Sequence, residues 1–217
     1  MKTFVFQGDS ITDSGRSRDN NNHWHMGYGY PDLVASEIGF KRPAEFKFIN
    51  RGVSGDKAAQ MYSRIKADTI DLCPDYLSIL IGVNDVWHPL NDESGRKGYS
   101  VERYTQLLSM FVEDVLEAKP DTVIAILEPF VLDGTATHEK IDAFVSGVSE
   151  RAKAAKAVAD GLGSHPDFPF YWFRAIIKTP TWYAGVRDEL EILSPETVWM
   201  SAPEYFELLR CWLEERQ

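Results

Sequence analysis

The run Pro74-Asp-Tyr-Leu-Ser-Ile-Leu-Ile81 is apolar on nearly every residue, and so on both of the faces that a strand alternates between. A strand built this way is stable only where layers cover it on both sides, which is the position of a central strand in a parallel sheet. Shorter runs of related character begin at Thr3, at Phe46-Lys-Phe-Ile-Asn50 and at Thr122-Val-Ile-Ala-Ile-Leu127, and residues 168–173 supply a fifth. Helical patterns fall between them. Residues 30–39 form a helix expected to stop on Gly39, and residues 57–67 form another. Residues 100–118 carry Val101, Tyr104, Leu107, Leu108, Phe111, Val112 and Val115 on one face, and residues 138–162 carry Ile141, Phe144, Val145 and Val148 toward the core. Ser201 and Glu204 make a capping-box pattern ahead of a last helix bearing Tyr205, Leu208, Leu209, Trp212 and Leu213. Alternation of this kind predicts an α/β fold, a three-layer αβα sandwich around a five-stranded parallel sheet. At 217 residues and 44% hydrophobic content, one core suffices and the whole chain, 1–217, reads as a single domain.

The formal charge of −10 opposes nucleic acid and acidic membrane surfaces, so neither is an expected partner. No run approaches the roughly 18 apolar residues of a membrane span, and the N-terminus lacks the pattern of a secretion signal. Cys73 and Cys211 are far apart in sequence and fit no metal spacing; they read as buried thiols in a reducing, cytoplasmic setting. No cofactor or metal is implied.

Three of the strands end alike, in glycine and small polar residues: Gly8-Asp-Ser10, Arg51-Gly-Val-Ser-Gly-Asp56 and Gly82-Val-Asn-Asp85. In open α/β sheets the carboxyl ends of the strands form the crevice where ligands bind. Ser10 is placed there as a nucleophile would be, the glycines let a backbone N–H approach a ligand closely, and Asn84 brings a neutral amide donor suited to an oxyanion. The same residue types also make ordinary turns and helix caps.

Taken together, these blocks resemble the SGNH hydrolases, also called GDSL esterases or lipases. Gly8-Asp-Ser-Ile is similar to the family's nucleophile block, Asn50-Arg-Gly-Val-Ser-Gly55 to its second and Gly82-Val-Asn-Asp85 to its third. The Glu128-Pro-Phe130 strand end and Trp212-Leu213 look like the branch that acts on sugar esters. The resemblance implies a flavodoxin-like SGNH fold and ester hydrolysis through an acyl-Ser10 intermediate, with the Ser10 and Gly55 N–H groups and the Asn84 side chain holding the oxyanion. It also implies a small-molecule ester substrate, a carbohydrate ester among the candidates.

The fourth block of that family, Asp-x-x-His before the last helix, falls here on Glu196-Thr-Val-Trp199. Glu196 could orient a base, but the Trp199 indole has only a donor and cannot accept a proton. No histidine follows His165, which lies too early, and the stretch 163–200 resembles the family least. His88, four residues after Asn84 on the same loop, is the better substitute base; His23 and His25 on a polar loop are weaker ones. A second reading makes the chain a silent binding module that stacks a sugar or acylated ligand on Trp24, Trp87 and Trp199.

Overall fold

The computed structural model describes residues 1–162, apart from 20, 96 and 97, and beyond them the strand segments 170–173, 176–177 and 199–200. Five parallel strands form one sheet in the order β2-β1-β3-β4-β5, where β1 is Lys2–Gly8, β2 Phe46–Asn50, β3 Tyr76–Leu80, β4 Val123–Leu127 and β5 Phe170–Phe173. The order reverses at β1, which is bonded to β2 on one side and to β3 on the other. That is the switch point at which a doubly wound sheet opens a crevice. A short parallel pair, β6 (Ile176–Ile177) with β7 (Trp199–Met200), lies apart from this sheet.

Strand residues divide by parity between two cores. Val5, Ile49, Leu77, Ile79, Ile124 and Ile126 pack under α3 (Ala58–Ser63), α6 (Val101–Ala118) and the second half of α7 (Ile141–Leu162). Phe4, Phe6, Tyr76, Leu80, Ala125 and Leu127 face the other way, toward Tyr30, Val34 and Ile38 of α2 (Tyr30–Lys41). The period of two in each strand thus builds the three layers. Of the residues expected inside α6, Tyr104, Leu108, Phe111, Val112 and Val115 are buried while Val101 and Leu107 are half-buried, and Ser100 caps the helix by accepting from Arg103 N.

Three local expectations differ. α2 does not stop at Gly39 but continues to Lys41, because Gly39 keeps its helical bonds and its small surface lies near Phe48. The stretch 57–67 is two helices, α3 and α4 (Ile65–Asp68), broken at Arg64, whose side chain turns into the sheet end to bind five different groups. Cys73 is exposed rather than buried, at the left-handed end of the 3-10 turn Ile70–Leu72; Cys211 and the final helix lie outside the described residues. No helix among the described residues is long and apolar enough to cross a membrane.

Candidate active site

At the carboxyl end of β1, Gly8 stands opposite Leu80 of β3. A Cβ on Gly8 would lie 2.3 Å from both the Leu80 carbonyl and Thr12 Oγ1, so only glycine lets the two backbones approach here. Asp9 then caps the single turn α1 (Ser10–Asp13), its Oδ1 accepting from Ile11 N at 3.0 Å. Ser10, the first residue of that turn, is exposed, and its hydroxyl makes no hydrogen bond among the described residues.

The segment after β2 is laced onto this turn. Asn50 Nδ2 donates to the carbonyls of Thr12 at 2.6 Å and Met26 at 2.9 Å, while its Oδ1 accepts from Gly52 N at 2.8 Å. Val53 N donates to Gly8 O at 3.0 Å and Ser54 N to Asp13 Oδ2 at 2.9 Å. Residues 53–56 close a tight turn through Asp56 N and Val53 O at 3.1 Å. Gly55, third in that turn, has φ +84°, the conformation a type II turn requires there and one that glycine adopts without strain.

After β3 the chain enters α5 (Asn84–Leu90), a helix where the sequence reads as a loop. Glycine before it and Pro89 inside it hide the pattern, since both usually signal a break. From α5, Asn84 Nδ2 donates to Asp56 O at 3.1 Å and Asp85 Oδ2 accepts from Ala58 N at 3.1 Å. His88 Nε2 lies 3.0 Å from Gly55 O. A carbonyl oxygen only accepts, so Nε2 carries the proton and the lone pair of the neutral ring sits on Nδ1.

Beneath the mouth lies buried acid. Burial pushes the Asp9 carboxyl up to about 7, and the charges of Asp85 and Asp56 raise it further against the lowering effect of the Ile11 N–H. Burial likewise pushes Asp85 up to about 6, and its Oδ1 has no hydrogen-bond partner among the described residues. Asp56 is instead paired with Arg64 at 2.7 Å. Arg64 also donates to Gly8 O at 3.2 Å, Arg51 O at 2.8 Å and Gln7 Oε1 at 2.9 Å, so a single guanidinium ties the ends of β1 and β2 to the start of α4.

The structure therefore brings Ser10, the Gly55 turn, Asn84 and His88 to one edge of the sheet. The rings of His23 and Trp24 meet at a tilt of 46°, centres 5.2 Å apart, on an exposed loop, and His25 Nδ1 meets Asn22 O at 2.8 Å. Trp87 packs on the buried Phe144, ring centres 5.2 Å apart, which makes it a wall of the α5–α7 contact rather than an open stacking surface. Glu196, His165 and the Trp199 side chain lie outside the described residues. Asp13, Arg64 and the buried state of Asp9 are site features that sequence reasoning missed, because each depends on groups distant in sequence, such as Ser54 for Asp13 and Gln7 and Gly8 for Arg64.

A family model described as the GDSL-like lipase/acylhydrolase family matches residues 6–186. An acetylxylan esterase of Geobacillus stearothermophilus is 34% identical over 136 residues, and that alignment spans 60% of each chain. A solved structure described as a GDSL-like lipase from Parabacteroides merdae superposes with a TM-score of 0.72 at 31% identity, covering 98% of this chain and 94% of that one. The Geobacillus acetylxylan esterase superposes with a TM-score of 0.66 at 26% identity, covering 99% and 93%. Variants of that enzyme at a serine, an aspartate and a histidine are described as catalytic mutants.

Proposed function

Since the chain belongs to the GDSL-like lipase/acylhydrolase family, we propose that its single domain is a serine carboxylester hydrolase acting on small acyl esters, acetylated carbohydrates foremost. The observation that carries this reading is the meeting of three strand ends at the sheet's switch point. There Ser10 is exposed, Gly55 adopts φ +84° and the Asn84 amide is tied to the same turn. The likeness to an acetylxylan esterase supports the choice of acyl group and alcohol.

In this mechanism Ser10 Oγ attacks the acyl carbonyl carbon and loses its proton to a base, and the carbonyl oxygen becomes an oxyanion. The N–H groups of Ser10 and Gly55 and the Asn84 Nδ2–H donate to that oxyanion. Collapse breaks the bond to the alcohol, which takes the proton from the base and leaves. Water then attacks the acyl-Ser10 ester, giving the free acid and restoring the hydroxyl. Glu196 is the residue proposed to orient a base, and Trp199 occupies the position that the base holds in the family pattern.

Trp199 makes slow turnover part of the proposal, because a site that lacks one member of a serine triad keeps roughly 10³–10⁴ over the uncatalysed rate from its oxyanion donors and binding. It also motivates a second reading, a silent module that binds an acylated sugar in the same crevice. The test is hydrolysis of p-nitrophenyl acetate by the purified protein beside Ser10→Ala and Trp199→His. Turnover that disappears in Ser10→Ala supports the enzyme reading. Turnover that persists in Ser10→Ala overturns it, and a silent wild type with an active Trp199→His leaves the binding module as the native role.

A further inference from the structure

We infer that His88 is a positioning residue for the oxyanion donor, the outermost of three side chains with which α5 clamps the Gly55 turn. The inference rests on the serine-hydrolase reading of the same site.

The argument begins with glycine. Gly55 earns its place through its positive φ, but a residue without Cβ is also free to leave that conformation. The N–H proposed to meet the oxyanion belongs to the peptide between Ser54 and Gly55, so its direction depends on what holds the peptides on either side. On the N-terminal side, Asp13 Oδ2 accepts from Ser54 N at 2.9 Å. On the C-terminal side, the peptide between Gly55 and Asp56 is held at both of its polar atoms. Its N–H donates to Val53 O at 3.1 Å, and its carbonyl accepts from His88 Nε2 at 3.0 Å. Asn84 Nδ2 holds the next carbonyl, that of Asp56, at 3.1 Å, and Asp85 Oδ2 receives the Ala58 N–H. Residues 84, 85 and 88 are spaced so that one short helix reaches three successive points of the segment 55–58.

This geometry also assigns the imidazole a different job from that of a base. Nε2 is committed to Gly55 O as a donor, and it keeps that proton whether or not Nδ1 is protonated. Such a clamp needs only the Nε2–H, whereas a base would need a ring lone pair turned toward the substrate side of Ser10.

The experiment compares wild type, His88→Ala and His88→Gln with p-nitrophenyl acetate across the histidine titration range. His88→Ala is expected to lower kcat about tenfold, less than deletion of a donor itself, with KM within about twofold. His88→Gln, which retains a side-chain N–H, is expected to recover most of kcat, and both variants keep the wild-type pH profile. A Gln variant as slow as Ala, or a profile that loses an ionisation in both variants, overturns the inference in favour of proton transfer. An unchanged kcat in His88→Ala overturns it outright.

If no ester is turned over by wild type, the failure lies with the proposed function, and hydrogen exchange of the Asp56 amide still reads the clamp. His88→Ala is expected to speed that exchange about tenfold while amides in β1 keep their rates. Equal Asp56 rates in the two proteins overturn the inference.

Discussion

Arg64 Nε donates to Asp56 Oδ2 at 2.7 Å, with the two side chains only 17% and 11% exposed. The pair joins the helix break to the last residue of the Gly55 turn. The remaining guanidinium donors run to Gly8 O, Arg51 O, Gln7 Oε1 and Asp68 Oδ2, so that all three guanidinium nitrogens are engaged.

Replacing this fork separates charge from geometry. Arg64→Met leaves Asp56 without its cation and takes a donor from the carbonyls of Gly8 and Arg51, for an expected loss of about 3–5 kcal/mol in urea unfolding. Arg64→Lys keeps the charge near Asp56 but not the parallel donors, and should fall between wild type and Met. A Met variant within about 1 kcal/mol of wild type would show that the network is redundant.

The second prediction concerns close approach. At Gly8 an added methyl would meet the Leu80 carbonyl and Thr12 Oγ1 at 2.3 Å, and at Gly52 it would meet Asp13 N at the same distance. In each case at least one obstacle is backbone and cannot swing away. Gly8→Ala and Gly52→Ala should each destabilise by about 3 kcal/mol or more, whereas Gly134→Ala, with open space around it, should stay within about 0.5 kcal/mol. Thermal melts of the three variants decide the matter.

Stability should fall as pH rises through the acid range. The Asp9 carboxyl stands at about 7 in the fold against 3.8 in an unfolded chain, chiefly through burial. Below pH 3.8 both states hold the proton and the favourable contribution is whole. Between 3.8 and about 7 only the unfolded chain releases it, so stability drops by about 1.4 kcal/mol per pH unit, on the order of 4 kcal/mol over the interval. Asp85, raised to about 6, acts in the same direction over a shorter span. Asp9→Asn keeps an acceptor for Ile11 N and cannot ionise, so it should be more stable than wild type above neutrality and show a shallower decline. Urea titrations at several pH values test this, and parallel curves for the two proteins would count against a protonated Asp9.

Under the proposed mechanism, Asn84→Ala removes a donor used only as charge develops on the substrate oxygen. Its expected signature is a fall in kcat of about 10²–10³ with KM little changed. Because Asn84 Nδ2 also holds Asp56 O, a melt should accompany the kinetics, with an expected stability loss of about 1 kcal/mol. A KM effect without a kcat effect would place Asn84 in ground-state binding instead.

The framework of the sheet was legible because the strands are largely apolar and the central ones β3 and β4 are buried on both faces; Tyr76–Leu80 and Val123–Leu127 have no exposed residue. The three strand ends were legible because glycine, serine and asparagine are scarce inside apolar strands and therefore mark where each one stops. The helix carrying Asn84 and His88 was not. Pro89 and the preceding glycine carry local signals for a loop, and tertiary contacts with the 55–58 segment and with Phe144 override them. The break at Arg64 was hidden for the opposite reason, since arginine is a good helix former and only its distant partners explain the turn of the chain. Burial of Asp9 and Asp85 was equally invisible, because a carboxylate in sequence looks the same on a surface as beneath a crevice.

The position of β1 between β2 and β3 also sets an order of events during synthesis. The strand that leads to Ser10 leaves the ribosome before either of its neighbours, and it gains them only when residues 46–50 and then 76–80 have emerged. Until then Phe4 and Phe6, fully buried in the finished protein, lack the cover that the fold gives them. A nascent chain should thus keep this strand as an uncovered apolar segment until β3 appears, with the carboxyl ends of three strands meeting around Ser10 before β4 and β5 have been translated.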